Sequence, residues 1–323
     1  VYIDKDWNIK VWNDGEGIPV VIHKEHNMYI PQMVLGKLNS GSNYTDTEER
    51  YGAGRNGVGS GAVALFSSKF TIDCADGKKS YYQVLSDNTK TKSEPIIKSS
   101  TKSYTSVSYT TDFNRLPILP YSKDTLKLCV KRIYDVAVYN PKVNIFFNDE
   151  PIKINSISDW ASLHVSKDSE LFVEHANDKW SICLAQSNTD MFENCSIVNG
   201  NTTWIGGTHV DYVMNQLVKK LTEQLSKGNK NIKIKPIDIK NKFHLFLVSK
   251  ISNPTFDTQT KENLTIKIEN KFELSDKLYK NLLKSDIIKS ILEWVALREQ
   301  AELNKLNTKS AGKTLRVEKL ADA

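Results

Sequence analysis

The opening of the chain alternates between hydrophobic and polar residues, and Val1, Ile3, Trp7, Ile9 and Val11 all fall on odd positions. Successive side chains of a β-strand point to opposite faces, so a period of two is typical of a strand. The pattern therefore predicts that the chain begins inside a strand.

Turn and strand signals recur further along. Asp76-Gly77 stands between two β-rich runs and predicts the turn of a hairpin over residues 70–85. Residues 103–113 alternate as a strand does. Further strands are predicted within residues 142–152, 170–187 and 243–251.

Apolar residues spaced by three and four predict helices between these strands. In residues 211–226 such spacing gives one apolar face, made of Met214, Leu217, Val218, Leu221 and Leu225. Other helices are predicted at residues 28–38, 61–70, 126–140 and 285–306.

The mixture of strands and helices predicts an α+β protein, and the pattern restarts near residue 160. The length of 323 residues suits two domains, since domains commonly hold roughly 100–200 residues. We therefore expect one domain over residues 1–160, a second over 161–305, and a charged linker over 306–323. Because the chain opens in a strand pattern and stops in a charged segment, we expect a fragment of a longer protein.

Composition narrows the class of protein. With 39% hydrophobic and 25% charged residues, the chain can bury a sizeable core. Lys and Arg exceed Asp and Glu by 44 − 38 = 6, a mildly basic balance that permits a polyanionic partner without requiring one. No long apolar run predicts a membrane helix, so we expect a soluble, intracellular protein.

The cysteines and histidines of the sequence indicate neither disulfide bonds nor a zinc site. Cys74, Cys129, Cys183 and Cys195 have no paired spacing, so they indicate isolated small hydrophobes in a reducing compartment. His23 and His26 have no cysteine nearby, which argues against a zinc site. The sequence therefore predicts no metal ligand.

Two glycine-rich segments are the strongest candidates for a site. The first, here called the first glycine turn, is residues 13–18 within "VWNDGEGIPV"; the second, the glycine cluster, is residues 52–61, "GAGRNGVGSG". The cluster is not a dinucleotide-binding fingerprint, because the polar run "YTDTEER" stands where a buried strand is required. It lacks the lysine of a Walker A loop and the Val of a protein-kinase loop. A phosphate-cradling loop ahead of a helix and a flexible surface loop both remain open.

The pairing of the two segments resembles the nucleotide site of GHKL ATPases. The motifs "WNDGEGIPV", "SNYTDTE", "GRNGVG", "GGTHVDYV" and "NPTFDTQTKENLT" narrow the resemblance to eukaryotic-type type IIA DNA topoisomerases over nearly the whole chain. The resemblance implies a GHKL-type α/β sandwich, N-terminally incomplete, followed by an α+β transducer domain. The Asn/Lys-rich composition further suggests a viral enzyme, for which the host cytoplasm is expected; a cellular one would be nuclear.

The resemblance implies ATP as ligand and assigns roles by position. Asn13 would face the adenine, Gly15 and Gly17 would let the chain turn beneath it, and Thr105 would lie under the base. The base pocket would include Ile18 and Val34, and the sugar and phosphate side Ser42 and Asn43. The triphosphate would be wrapped by Arg55, Asn56, Gly57, Val58 and Gly59. From the second domain, Gln259 and Lys261 would reach the γ-phosphate as catalytic residues.

This chain departs from the family pattern at several positions. Gly61 stands where relatives have a phosphate-side lysine, and Gly41 replaces a ribose-side serine. The helix that carries the family's general-base Glu and its Mg²⁺ ligand would lie upstream of residue 1, and Glu16 is expected to be a solvated loop charge. We therefore expect this stretch by itself to bind nucleotide poorly and to hydrolyse it negligibly.

Partners and alternatives also follow from the resemblance. Double-stranded DNA would make weak contacts with Lys227, Lys230 and Lys233, although a solvated face is an equal alternative, and the full-length protein would be a homodimer. Arg55 could instead pair with Glu48 or Glu49, and Lys261 could be a solvated loop residue. A mismatch-repair or chaperone-type GHKL ATPase and a non-catalytic nucleotide-sensing scaffold are the alternative functions. No membrane partner is expected.

Overall fold

The computed structural model describes residues 1–41, 49–52, 54, 56–116, 122–228, 233–269 and 271–311, the last six of these in their backbone only. It divides into two compact units. Unit 1 contains Val1–Ser156, Asn199–Asn201 and Ile251–Pro254, and unit 2 contains Ile157–Val198, Thr202–Lys250 and the chain from Thr255 onward. The chain thus returns to unit 1 twice after leaving it, which a linear division of the sequence does not represent. The domain boundaries at residues 160 and 305 stay predictions.

Unit 1 is built on one antiparallel sheet of seven strands, with the order β1-β2-β9-β5-β6-β7 and β8 also paired to β6. Its strands are β1 (Tyr2–Ile3), β2 (Asn8–Asn13), β3 (Ile22–His23), β4 (Met28–Tyr29), β5 (Ser67–Asp76), β6 (Lys79–Ser86), β7 (Thr91–Lys92), β8 (Ile96–Ser99), β9 (Ser103–Thr111), β10 (Phe146–Phe147) and β11 (Glu150–Pro151). Its helices are α1 (Ile30–Gly36), α2 (Gly59–Leu65) and α3 (Lys123–Tyr139), with a short 3-10 turn at Phe113–Arg115.

The core of unit 1 lies on one face of this sheet. Along β5 the side chains of Phe70, Ile72 and Cys74 alternate inward and are fully buried, as a period of two requires. Ala64 of α2 packs against the same cluster. The predicted Asp76-Gly77 hairpin is confirmed as β5 and β6, and the predicted strand at residues 103–113 is confirmed as β9.

Two local predictions in unit 1 were wrong. The opening segment is a hairpin of β1 and β2 rather than one strand, because Asp4 accepts hydrogen bonds from the Asp6 and Asn8 amides at 2.9 Å each and closes a turn. Odd positions still share a face because Ile3 and Ile9 are cross-strand partners. The predicted helix over residues 61–70 ends at Leu65, and β5 begins at Ser67.

Unit 2 contains a mixed sheet with the order β12-β13-β17-β14-β15, in which β14 runs parallel to β17. Its strands are β12 (Phe172–Asn177), β13 (Trp180–Gln186), β14 (Glu193–Val198), β15 (Asn201–Thr202, of which only Thr202 belongs to unit 2), β16 (Gly206–Gly207), β17 (Phe243–Ser249) and β18 (Asn263–Leu264). Its helices are α4 (Ile157–Ala161), α5 (Thr208–Gly228), α6 (Pro236–Lys240), α7 (Asp276–Leu282) and α8 (Asp286–Ala311).

The predicted apolar face of α5 is confirmed, since all five of its predicted residues are buried. β13 and β17 are buried almost throughout, and Trp160 of α4 packs edge-on against Phe246 of β17 with ring centroids 5.7 Å apart. Residues 306–311 continue helix α8, and residues 312–323 lie outside the described part of the chain, so the linker over residues 306–323 stays a prediction. Within the described ranges, no helix is both long and apolar enough to cross a membrane.

Candidate functional site

Asn13 ends strand β2 at the start of the first glycine turn. Its side-chain oxygen accepts a hydrogen bond from the Gly15 amide at 3.2 Å, and the side chain is exposed. Across the strand pair its partner is Thr105 of β9, which pairs on its other side with Cys74 of β5. The structure therefore brings together two residues that are 92 positions apart (105 − 13) and that the sequence assigns to the base end of one site.

Gly17 is the position in this turn where only glycine fits. Its φ is +82°, and a Cβ would lie 1.9 Å from the carbonyl oxygen of Ala75. L-residues adopt this left-handed conformation at a cost of about 1–2 kcal/mol, and the overlap with a backbone atom adds to it. The turn is thus held directly against the end of β5, and the following residue, Ile18, is half-buried against the core.

Asp76 fixes the other side of the same turn. Its carboxylate accepts hydrogen bonds from the Val20 amide at 2.9 Å and from the Lys78 and Lys79 amides at 2.9 and 2.7 Å. These bonds, with the one from Val20 the largest cause, lower the pKa of Asp76 to about 2. Sequence reasoning used Asp76 only as a turn residue, because its bond to Val20 spans 56 positions and leaves no local signal.

The glycine cluster is anchored at Gly57. Its φ is +59°, and a Cβ would lie 2.1 Å from the amide nitrogen of Gly41. The Ser40 amide donates to the Gly57 carbonyl at 3.4 Å. The chain at Ser40 and Gly41 is therefore in backbone contact with the glycine cluster, and the absence of a side chain at Gly57 permits it.

Two other glycines of the cluster have open surroundings. A Cβ placed on Gly54 or on Gly59 would meet no described atom within 4 Å. Asn56 is exposed, while Val58 is half-buried and its carbonyl accepts from the Ala62 amide at 2.9 Å, which starts α2. Since α2 has only seven residues, any anion binding here depends on the amides of the cluster rather than on a long helix dipole.

Helix α1 carries Val34, the remaining base-pocket candidate in unit 1. Its side chain is 36% exposed. Its carbonyl oxygen accepts from the hydroxyls of Ser60 at 3.0 Å and Ser40 at 3.3 Å. Val34 is thereby connected both to Ser60 in the glycine cluster and to Ser40.

The packing around α2 explains why a glycine stands at position 61 in this chain. It is buried in α2, and a Cβ there would lie 2.5 Å from the carbonyl oxygen of Lys37 and 2.8 Å from the Leu38 amide nitrogen. At this position, where relatives are expected to carry lysine, α2 crosses closely over the chain that follows α1. A side chain here would have to displace backbone atoms.

Gln259 and Lys261 lie in a closed loop of unit 2. Asn263 donates from its side chain to the Asp257 carboxylate at 2.8 Å, and the Lys261 amide donates to Thr258 at 3.2 Å. Lys261 has φ +62° and is half-buried, whereas Gln259 is exposed. Asp257 and Asn263, which close the loop, were quoted in the motif but not recognised as residues that shape it.

Three predicted site residues, Ser42, Asn43 and Arg55, lie outside the described residues, as does Lys230. All four cysteines are free, and two of them, Cys74 and Cys183, are buried. Burial raises the pKa of Cys74 to about 12, so its thiol stays protonated.

The β3–β4 hairpin carries His23, Glu25 and His26 with ligating atoms within 4.8 Å of one another. The sequence prediction considered only His23 and His26 with cysteine as a partner and did not include the carboxylate of Glu25. Because Glu25 and His26 are exposed and such groups are common without an ion, we assign no metal there.

Comparisons with known proteins agree with this geometry. A family model described as DNA gyrase B matches residues 132–311. A probable DNA topoisomerase 2 of Dictyostelium discoideum is 38% identical over 339 residues, covering 100% of this chain and 22% of the relative. DNA topoisomerase 2 of Drosophila melanogaster is 35% identical over 336 residues, covering 99% and 23%. The chain thus spans less than a quarter of the length of these relatives.

Two solved structures are similar over most of the chain. The ATPase region of Saccharomyces cerevisiae topoisomerase II matches with a TM-score of 0.84 and 32% identity, covering 90% of this chain and 78% of that one. The ATPase and transducer domains of DNA topoisomerase II from Balamuthia mandrillaris match with a TM-score of 0.86 and 30% identity, covering 93% and 79%.

Proposed function

The chain belongs to the type II DNA topoisomerase family, in its ATPase region, and from this membership we propose that it forms the ATP-operated N-gate of a type IIA DNA topoisomerase. In this role ATP binding and hydrolysis would be coupled to the capture and passage of a DNA duplex. The relatives and structures reported above are all topoisomerases or gyrase, so nothing among them supports a mismatch-repair or chaperone ATPase.

The observation that carries the proposal is the placement of Asn13 beside Thr105. Asn13 Oδ1 has two lone pairs, and the Gly15 amide at 3.2 Å uses one of them. The second can accept from the 6-amino group of adenine, whereas guanine presents an oxygen there and cannot donate. We therefore assign the base to the surface formed by Asn13, Thr105 and Ile18.

The triphosphate is assigned to the glycine cluster. Backbone amides of successive residues bind anions when no side chain blocks their approach. The open space at Gly54 and Gly59 fits such a ligand, and Gly57 fixes the cluster against Gly41. Bound ATP supplies the charged γ-phosphate, and Gln259 and Lys261 are proposed to read it.

We assign no residue of this chain as general base or as Mg²⁺ ligand. Glu16 is exposed in the first glycine turn, and no hydrogen bond to it is seen among the described residues. Hydrolysis is therefore proposed for the whole enzyme, and nucleotide binding is the property to test here.

The test is a calorimetric titration of the full-length protein with a non-hydrolysable ATP analogue and with its GTP counterpart. We expect saturable binding of the adenine nucleotide, weakened about tenfold or more in Asn13→Ala and kept within about threefold in Asn13→Asp, which retains the acceptor. The GTP analogue should bind more weakly than the ATP analogue to the wild-type full-length protein.

Asn177→Ala is the matched control. Asn177 accepts from the Lys179 amide at 2.9 Å in the same local geometry as Asn13, but in the β12–β13 hairpin of unit 2. Its loss should leave nucleotide affinity unchanged. Absence of saturable binding by the wild-type full-length protein would refute ATP binding and leave the non-catalytic scaffold.

DNA and a second copy of the chain are proposed as partners of the whole enzyme. Lys227 is exposed in the last turn of α5, and Lys233 is exposed beside Glu299, whose carboxylate accepts from the Lys233 amide at 2.6 Å. Each lysine that contacts a phosphate contributes about one unit to the salt slope of DNA binding. Lys227→Ala with Lys233→Ala should lower that slope by about two units, and an unchanged slope would favour the solvated face.

The origin and compartment stay predictions of the sequence. A viral enzyme would act in the host cytoplasm and a cellular one in the nucleus. Localisation of the tagged full-length protein would distinguish the two.

A further inference from the structure

A pair of backbone segments from distant parts of the chain meets inside unit 1. Arg50 lies just before the glycine cluster, and Asn253 lies in the short stretch Ile251–Pro254 that returns to unit 1. The Arg50 amide donates to Asn253 Oδ1 at 3.1 Å, and the Asn253 amide donates to the Arg50 carbonyl at 2.9 Å. Asn253 thus pairs with both the amide and the carbonyl of Arg50, which is 203 positions away in the sequence.

Both partners are themselves held in place. The Asn199 side chain donates to the Ile251 carbonyl at 2.7 Å and accepts from the Ile251 amide at 2.8 Å. On the other side, Arg50 Nη1 donates to the carbonyl of Gly54, inside the glycine cluster, at 3.1 Å. Hydrogen bonds therefore hold Ile251 to Asn199, and Asn253, two positions further along the chain, to Arg50, which in turn contacts the cluster.

Asn253 has a conformation that suits this task. Its φ is +46°, a left-handed value that asparagine tolerates better than most residues. This turn aims the side-chain oxygen at the Arg50 amide while leaving its own amide free to donate. Along the chain, Asn253 precedes Gln259 by six positions and Lys261 by eight.

We propose that Asn253 is a positioning residue of the nucleotide site, which fixes Arg50, and with it the start of the glycine cluster, to the segment that continues into Gln259 and Lys261. This inference rests on the proposed function. If the cluster holds the triphosphate and Lys261 reads the γ-phosphate, Asn253 stands between the two groups along the chain. Loss of the Asn253 contacts would then weaken the binding of a nucleoside triphosphate more than that of a diphosphate.

The test compares Asn253→Gly with Asn253→Asp in the full chain. Glycine keeps the left-handed backbone and removes the acceptor, whereas aspartate keeps an oxygen at the same place. We expect the ATP analogue to bind about tenfold more weakly to Asn253→Gly and within about threefold of wild type to Asp, with ADP affinity changed by less than about threefold in both. Asn27→Gly, at a left-handed asparagine with φ +48° in the β3–β4 turn, controls for the glycine itself.

A second measurement does not depend on nucleotide. Hydrogen exchange at the Arg50 amide should accelerate about tenfold or more in Asn253→Gly and stay near wild type in Asn253→Asp and Asn27→Gly. Equal weakening of the ATP analogue and ADP would mean a structural role only and would overturn the proposal, as would an unchanged exchange rate. If wild type binds no nucleotide, the proposed function falls and this role with it; if it binds and Asn253→Gly keeps its preference for the analogue, only the role of Asn253 falls.

Discussion

The two glycine-bearing segments of unit 1 use the missing side chain for different purposes. In the first glycine turn the space beside Gly17 is filled by the protein's own backbone, with the Ala75 oxygen 1.9 Å from where a Cβ would stand. In the glycine cluster Gly57 is filled in the same way by Gly41, but Gly54 and Gly59 face no described atom within 4 Å. Glycine is required by the backbone at Gly17 and Gly57, whereas at Gly54 and Gly59 the described residues leave room for a side chain.

Because of this difference, a substitution at one kind of glycine should change folding stability, and a substitution at the other kind should change ligand binding. A side chain added where backbone already lies must push strands or loops apart, which costs folding free energy. A side chain added in open space costs the fold nothing and obstructs only what would bind there. Substitutions at these glycines therefore measure which part of the site belongs to the scaffold.

The largest effect is expected for Gly17→Ala. The positive φ and the overlap with Ala75 together should lower the free energy of unfolding of unit 1 by about 2–5 kcal/mol. Urea denaturation followed by circular dichroism measures this change. Gly15→Ala is the control, because its Cβ would meet only the Asn13 side chain, at 3.1 Å. A loss at Gly17 no larger than that at Gly15 would mean that the turn is not held by β5.

Gly57→Ala should have the next largest effect. Its φ of +59° and the contact with Gly41 predict a loss of about 1–3 kcal/mol, less than at Gly17 because a surface loop can shift. Binding of the ATP analogue should weaken as well, since the cluster would move. If Gly57→Ala is destabilised but keeps its affinity for the ATP analogue, Gly57 does not contribute to the nucleotide site.

Gly61→Lys tests whether the expected family lysine can be restored. The Cβ would overlap the Lys37 carbonyl at 2.5 Å, so we expect a loss of about 1–2 kcal/mol and no gain in affinity for the ATP analogue. Gly61→Ala carries the same Cβ without the charge and should lose as much stability. Tighter binding by Gly61→Lys alone would show that α2 can move aside.

Gly59→Ala should change stability and binding in opposite directions. Alanine favours a helix over glycine, so unfolding should cost up to about 1 kcal/mol more at this first position of α2. Affinity for the ATP analogue should fall about fivefold or more if amides of the cluster hold the triphosphate. Unchanged affinity would contradict the use of this open space by the ligand.

The smallest effect concerns Asp76 and pH. Its pKa is about 2 when folded and about 3.9 in an unfolded chain, so its contribution to stability is complete above about pH 4 and is lost as the pH falls through 2. The Asp76→Asn variant should therefore lose less stability than wild type between about pH 4 and pH 2. Parallel stability curves for the two proteins would contradict the role of this carboxylate in holding Val20.

Local chemistry accounts for the predictions that held. The Asp76-Gly77 turn was predictable because turn residues act over a few positions, and the α5 face because its period repeats over a helix of 21 residues. The opening hairpin was missed because residues 3 and 9 face the same side whether they share a strand or pair across one. The end of α2 at Leu65 was missed because small and aromatic residues there suit either element.

The sequence by itself determined where the glycines, the asparagine at position 13 and the Gln-Thr-Lys loop stand, and their spacing indicated the family. Only the tertiary structure decided which glycines are fixed by a neighbouring backbone and which face open space, because that depends on strands and loops that approach from elsewhere in the chain. The same holds for the pairing of Arg50 with Asn253 across 203 positions. Such contacts form between segments that carry no signal of each other until the chain has folded.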